Sequence, residues 1–160
     1  MTNTTPEVRR SVSVPLPVAD AFRVFTEQFD LIKPSEHNLM SRPVESTVME
    51  VRPGGRIFDR ADDGSECVWG EVLEVQPPNL LRFAWLIGSD WQVHAKENAS
   101  EVEVRFTANG PDRTDVDLRH HHLDRHGPGW PGQLAALDGD NGWPVYLQRY
   151  AELAVSAAAH

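Results

Sequence analysis

The sequence predicts an α+β domain in which one curved antiparallel sheet is covered by a long C-terminal helix. Three observations carry this. Between Ser46 and Leu123 apolar and polar residues alternate in short runs broken by turn residues, the mark of strands with one buried face. Long stretches of helical apolar spacing occur near the start and at the end of the chain. The length of 160 residues suits one domain, written here as 1–160 with a core of about 8–157.

The elements follow in order. Val8, Val12 and Val14 share a face of a first strand, with Arg10 as an exception on that face. Pro15 and Pro17 end it, and Val18, Phe22, Phe25 and Phe29 then recur at the spacing of an amphipathic helix beginning near Pro17. Residues 30–45 hold two prolines and no clear period, and read as a short second helix or loop. Six strands follow: Val48–Arg52, Arg56–Ala61, Glu66–Val75, Leu80–Ile87, Ser100–Ala108 and Thr114–His122. Pro53-Gly54-Gly55, Asp62-Asp63-Gly64, Pro77-Pro78-Asn79 and Asn109-Gly110-Pro111-Asp112 punctuate them. A glycine-rich stretch, 127–142, brackets a short helix around Gln133–Leu137. From Trp143 to about Ala157 the chain reads as helix, with Pro144 tolerated in the first turn. About seven strands in the order β-α-α-β6-α make a twisted meander with one apolar face to cover. The final helix is the element large enough to cover it, and the tapered space between the two is where a small ligand fits.

Composition narrows the function. A net charge of −9 without a basic run argues against nucleic-acid or anionic-membrane partners. No stretch approaches the ~18 apolar residues of a membrane span. Met1–Glu7 is polar, unlike a secretory signal, and Cys67 is the one cysteine, so the expectation is a cytoplasmic protein.

The ordered set of segments resembles the SRPBCC (START-like, helix-grip) superfamily, in particular the group related to the Hsp90 ATPase activator. The resemblance runs from about Val8 to Ala154. It is carried by Pro17-Val18-Ala19-Asp20-Ala21-Phe22-Arg23-Val24-Phe25-Thr26, Arg52-Pro53-Gly54-Gly55-Arg56 and the run Gly70 to Trp85. Ser100 to Phe106, Thr114 to His120, Gly127-Pro128-Gly129-Trp130 and Gly142-Trp143-Pro144 complete it. Many relatives carry paired tryptophans after the first helix, where this chain has Asp30-Leu31-Ile32-Lys33. The resemblance implies the helix-grip fold. Its members include lipid and sterol carriers, hormone receptors, polyketide cyclases and co-chaperones, so it does not fix one activity.

Ten residues are expected to line the cavity: Phe83, Trp85, Val104, Phe106, Leu118, His120, Trp143, Tyr146, Leu147 and Tyr150. Filling a core explains any one of them about as well. Of the acid-base groups that could reach a cavity, Asp59, Glu71, His120, Arg56, Tyr146 and Tyr150, none forms a recognisable motif, so no catalytic residue is assigned. His120-His121-His122 invites a metal, but a strand points His120 and His122 one way and His121 the other. Two imidazoles alone do not complete a tetrahedral site, so no metal and no cofactor is expected. Cys67 reads as an inert buried thiol, and Glu36-His37 reads as surface decoration ahead of the alternative, part of a cavity mouth. The expected partner is a small apolar or aromatic molecule, lipid- or polyketide-like, with binding favoured over catalysis. A cyclase or hydrolase using the same cavity is the second reading, with a co-chaperone-like interaction module third. A homodimer is compatible with the sequence, and a direct chaperone partner is not expected.

Overall fold

The computed structural model describes residues 7–34, 37, 39, 40 and 42–159. The strands are β1 (Val8–Val14), β2 (Val44–Met49), β3 (Arg56–Ala61), β4 (Glu66–Gln76), β5 (Leu80–Trp85), β6 (Ser100–Ala108) and β7 (Thr114–His121). The helices are α1 (Val18–Glu27), α2 (Phe29–Ile32), α3 (Trp130–Asp138) and α4 (Trp143–Ala158). Short 3-10 turns at Lys96–Asn98 and Leu123–His126 join the later elements.

All seven strands form one antiparallel sheet in the order β1-β7-β6-β5-β4-β3-β2. The meander runs from β2 to β7, and β1 adds at the β7 edge with Val8 opposite His120 and Val14 opposite Thr114. β6 and β7 show the alternation most plainly: Val102, Val104, Phe106, Val116 and Leu118 are buried, while Arg105 and Asp117 on the other face meet water. Arg10, the exception on the buried face of β1, donates to the Asp138 carboxylate at 2.9 Å and to the Asp138 carbonyl at 2.8 Å. A cation at the C-terminus of α3 completes an open carbonyl and suits the helix dipole.

β2 sits earlier than its sequence pattern suggests. Residues 50–55 fold into a tight turn instead, in which the Arg56 N–H donates to the Glu50 carboxylate at 2.8 Å and the Gly54 N–H donates to the Val72 carbonyl at 2.8 Å. Pro53 has no N–H for a ladder, which favours the turn.

The core divides into two regions. α1 lays Phe22 and Phe25 against Phe106, with ring centroids 5.2 and 5.7 Å apart, and Phe25 meets Tyr150 edge-on at 5.2 Å. Burying each such ring contributes about 1.5–3 kcal/mol. Nearer the start of α4, Trp69, Trp85, Trp143 and Tyr146 contact one another edge-on at 5.1–5.6 Å. Here the packing opens into a cavity.

Candidate functional site: an aromatic cavity with a buried ion pair

The cavity measures about 340 Å³, within the usual range for small-molecule sites. Its walls come from Asp59 on β3, Trp69 on β4, Trp85 on β5, and Trp143 and Tyr146 in the first turn of α4. Ala136 and Leu137 of α3 close one side, and Lys33, His37 and Leu39 from the segment after α2 close another. Ile87 and Trp91 form part of the rim.

Local features aim these side chains. β4 is bulged: Ile57 pairs with Gly70 but Phe58 with Val68, leaving Trp69 as the extra residue. Bulges re-aim side chains in this way beside functional sites. Gly142 precedes α4 and also lines the cavity; a Cβ there would collide with the Leu137 carbonyl, so glycine lets α3 and α4 approach. Trp91 holds a left-handed backbone at φ 59°, rare for a bulky residue, and is 44% exposed at the rim.

One wall is charged. Lys33 Nζ lies 3.2 Å from Asp59 Oδ2, and the two side chains are 4% and 2% exposed. Thr47 donates to the other Asp59 oxygen at 2.7 Å, and Lys33 also donates to the His37 carbonyl. A pair buried this deeply persists where each charge has its partners. His37 Nδ1 stands 3.3 Å from the Tyr146 hydroxyl. The indole N–H groups of Trp69 and Trp85, buried in the same wall, have no hydrogen-bond partner among the described residues.

Of the ten residues expected at the cavity, the structure brings Trp85, Trp143 and Tyr146 to its wall. Phe83, Val104, Phe106, Leu118, Leu147 and Tyr150 lie in the packed core, where the phenylalanines of α1 fill the space under α4. Tyr150 donates to the Ala21 carbonyl at 2.7 Å, and burial pushes its phenol pKa up. His120 is fully buried behind the wall. The Trp143 N–H donates to its Nδ1 at 3.1 Å, and its Nε2 lies 2.7 Å from Ser100 Oγ, which in turn lies 2.7 Å from His126 Nε2. Indole nitrogen only donates, so His120 Nδ1 accepts and Nε2 carries the proton toward Ser100. Burial, then the neighbouring His126 and His121, hold the His120 pKa well below 6.5, which keeps this neutral tautomer.

The other acid-base candidates separate cleanly. Glu71 pairs with Lys96 at 2.6 Å, and Arg56 pairs with Glu50 and Glu66, all away from the cavity. Cys67 stands opposite Asp59 in the β3–β4 ladder; burial and the Asp59 carboxylate raise its thiol pKa. His37 lines the cavity, the alternative to the favoured surface reading, while Glu36 lies outside the described residues. Asp59, expected within reach of the cavity, lines it, but sequence reasoning missed its pairing with Lys33, and missed Lys33, Trp69 and Trp91 themselves. A lysine amid the apolar Leu31-Ile32 was the available signal for the first; nothing in the sequence marked Trp91.

A seven-stranded antiparallel sheet gripping a long C-terminal helix, with an apolar cavity at the start of that helix, is a helix-grip domain of the START-like SRPBCC type. Residues 15–154 match the family described as activator of Hsp90 ATPase homolog 1-like protein, and the chain belongs to it. Among solved structures it is similar to the anthrahydroquino-γ-pyrone synthase Txn09, at 38% identity and a TM-score of 0.65, with 95% of this chain and 99% of that chain covered. It is similar also to CalC, a self-sacrificing resistance protein from Micromonospora echinospora, at 29% identity and a TM-score of 0.71, with 97% of each chain covered. NE0264 from Nitrosomonas europaea shares the fold at 15% identity and a TM-score of 0.64, over 94% of this chain and 95% of that one. No curated protein matches the chain. No helix among the described residues is long and apolar enough to cross a membrane.

Proposed function

We propose that this chain is a cytoplasmic binding protein whose cavity takes a planar aromatic, polyketide-like molecule carrying hydrogen-bond acceptor oxygens. The observation that carries this reading is the pair of indole N–H groups, Trp69 and Trp85, without a partner among the described residues, in a wall that also carries Trp91, Trp143 and Tyr146. A buried donor without an acceptor costs about 1–3 kcal/mol. Both nitrogens are shielded by their neighbours, so a ligand carbonyl or phenol oxygen removes that cost once a ring rotation turns an N–H toward the cavity, while Trp143, Tyr146 and Trp91 supply flat apolar contact. Similarity to an anthrahydroquino-γ-pyrone synthase supports the same ligand class.

A second reading, ring-closing catalysis in this cavity, is favoured by the Lys33–Asp59 pair. A carboxylate and an ammonium held together in a dry wall are placed to accept and donate a proton at a carbonyl-bearing ligand.

The test is titration of the purified chain with a hydroxyanthraquinone, followed by quenching of tryptophan fluorescence and by thermal shift. The expected result is saturable one-to-one binding; at 100-fold excess over Kd it stabilises the fold by about 2.7 kcal/mol. Absence of binding across a panel of polycyclic aromatics would overturn the proposal. Incubation with unclosed polyketide-like precursors separates the two readings: turnover abolished by Asp59→Asn establishes catalysis, and binding without turnover establishes a carrier.

A further inference from the structure

The histidine run behaves differently from a continuing strand. β7 ends at His121, and His122 takes a left-handed backbone at φ 62°. His120 therefore stays on the core face, while the ring of His122 swings beside that of His121, with centroids 4.2 Å apart. His121 lies directly across from Glu101 in the β6–β7 ladder. Its side chain is 10% exposed, and its Nε2 is 3.5 Å from Glu101 Oε2. Neither ring nitrogen makes a hydrogen bond among the described residues. One ligand atom from each of Glu101, His121 and His122 falls within 4.8 Å of the others.

We propose that Glu101, His121 and His122 form a binding site for a divalent transition ion of the zinc class, on the face of the sheet opposite the cavity. Two imidazoles and one carboxylate suit zinc, nickel or cobalt rather than the hard, oxygen-seeking calcium or magnesium. Tetrahedral bonds of about 2.0–2.1 Å place ligand atoms roughly 3.4 Å apart, so modest side-chain rotations close the site around an ion. Three protein ligands leave a fourth position for water or an exogenous ligand. Arg82, 3.3 Å from Glu101 Oε2 and also paired with Glu74, steadies the carboxylate from the side. The left-handed turn at His122 gains a purpose on this reading: it is what puts two successive imidazoles on one side.

Isothermal titration of the chelator-stripped chain, free of any appended histidine tag, with zinc chloride tests the site, with cobalt(II) absorption as the spectroscopic check. One equivalent is expected to bind, with affinity lowered at least tenfold in His122→Gly and in Glu101→Gln. The left-handed backbone accommodates glycine, so His122→Gly removes the ligand without straining the fold. His94→Ala, at the separate exposed His94–Asp90 pair, is expected to leave binding unchanged. No uptake at one equivalent, wild-type affinity in His122→Gly, or loss on His94→Ala instead would each overturn the proposal.

Discussion

The Trp143 indole N–H donates to Nδ1 of His120 at 3.1 Å, so a cavity-wall aromatic is fixed by a fully buried histidine that must stay neutral to accept the bond. Protonating Nδ1 breaks it. Because the folded pKa of His120 is lowered below 6.5, the unfolded chain binds more protons, and stability rises with pH. The contribution is complete above about pH 6.5 and is lost as the pH falls toward the folded pKa, at up to about 1.4 kcal/mol per pH unit. Urea unfolding at intervals between pH 7.5 and 5 is expected to show this slope, and His120→Asn to flatten it. An equal slope in the variant would assign the acid sensitivity to other groups.

Asp59→Ala leaves the Lys33 ammonium buried without its carboxylate, and is expected to cost about 3–5 kcal/mol. The double variant Lys33→Met/Asp59→Leu removes both charges and is expected to recover most of that loss. Denaturation midpoints of the two singles and the double complete the cycle. A single variant as stable as the parent would mean that the pair is solvated in solution.

Trp85→Phe keeps most of the ring packing and removes an N–H that has no partner among the described residues. Affinity for a hydroxyanthraquinone is expected to fall about tenfold, equivalent to 1.4 kcal/mol. Tyr150→Phe removes the bond to the Ala21 carbonyl in the core. That change is expected to cost about 0.5–1.5 kcal/mol of stability and to leave ligand affinity unaltered. The reverse pattern in fluorescence titration and thermal unfolding would move the binding site toward the middle of α4.

Trp91 combines a left-handed backbone with a place on the cavity rim. Trp91→Gly is expected to hold or raise the melting temperature, since glycine relieves strain of about 1–3 kcal/mol, while weakening ligand binding. A fall in melting temperature with affinity intact would show a purely structural role.

Much of the strand and helix content was legible because period-two and helical patterns each bury a continuous face. The alternation of Val102, Val104 and Phe106, and the run from Trp143 to Tyr150, appear in the structure as the sequence implies. The position of β2 was less legible, because Glu50 and Pro53 redirect the backbone into a turn through a side-chain bond that no periodicity displays. Nor did alternation reveal the side-by-side placement of His121 and His122, since a left-handed residue ends the strand between them.

The sequence by itself determined the strand number and the gripping helix through local spacing and segment order, with β2 displaced, and its motifs carried the resemblance to the family. Tertiary structure decided which apolar residues are core and which are cavity wall. Phe106 and Tyr150 share a pattern with Trp85 and Tyr146, but α1 packs Phe25 onto the first pair and leaves space before the second. It also decided that Lys33 and Asp59, 26 residues apart, share one buried bond. Burial and charge pairing depend on which distant segments meet, and that is a property of packing rather than of neighbouring residues.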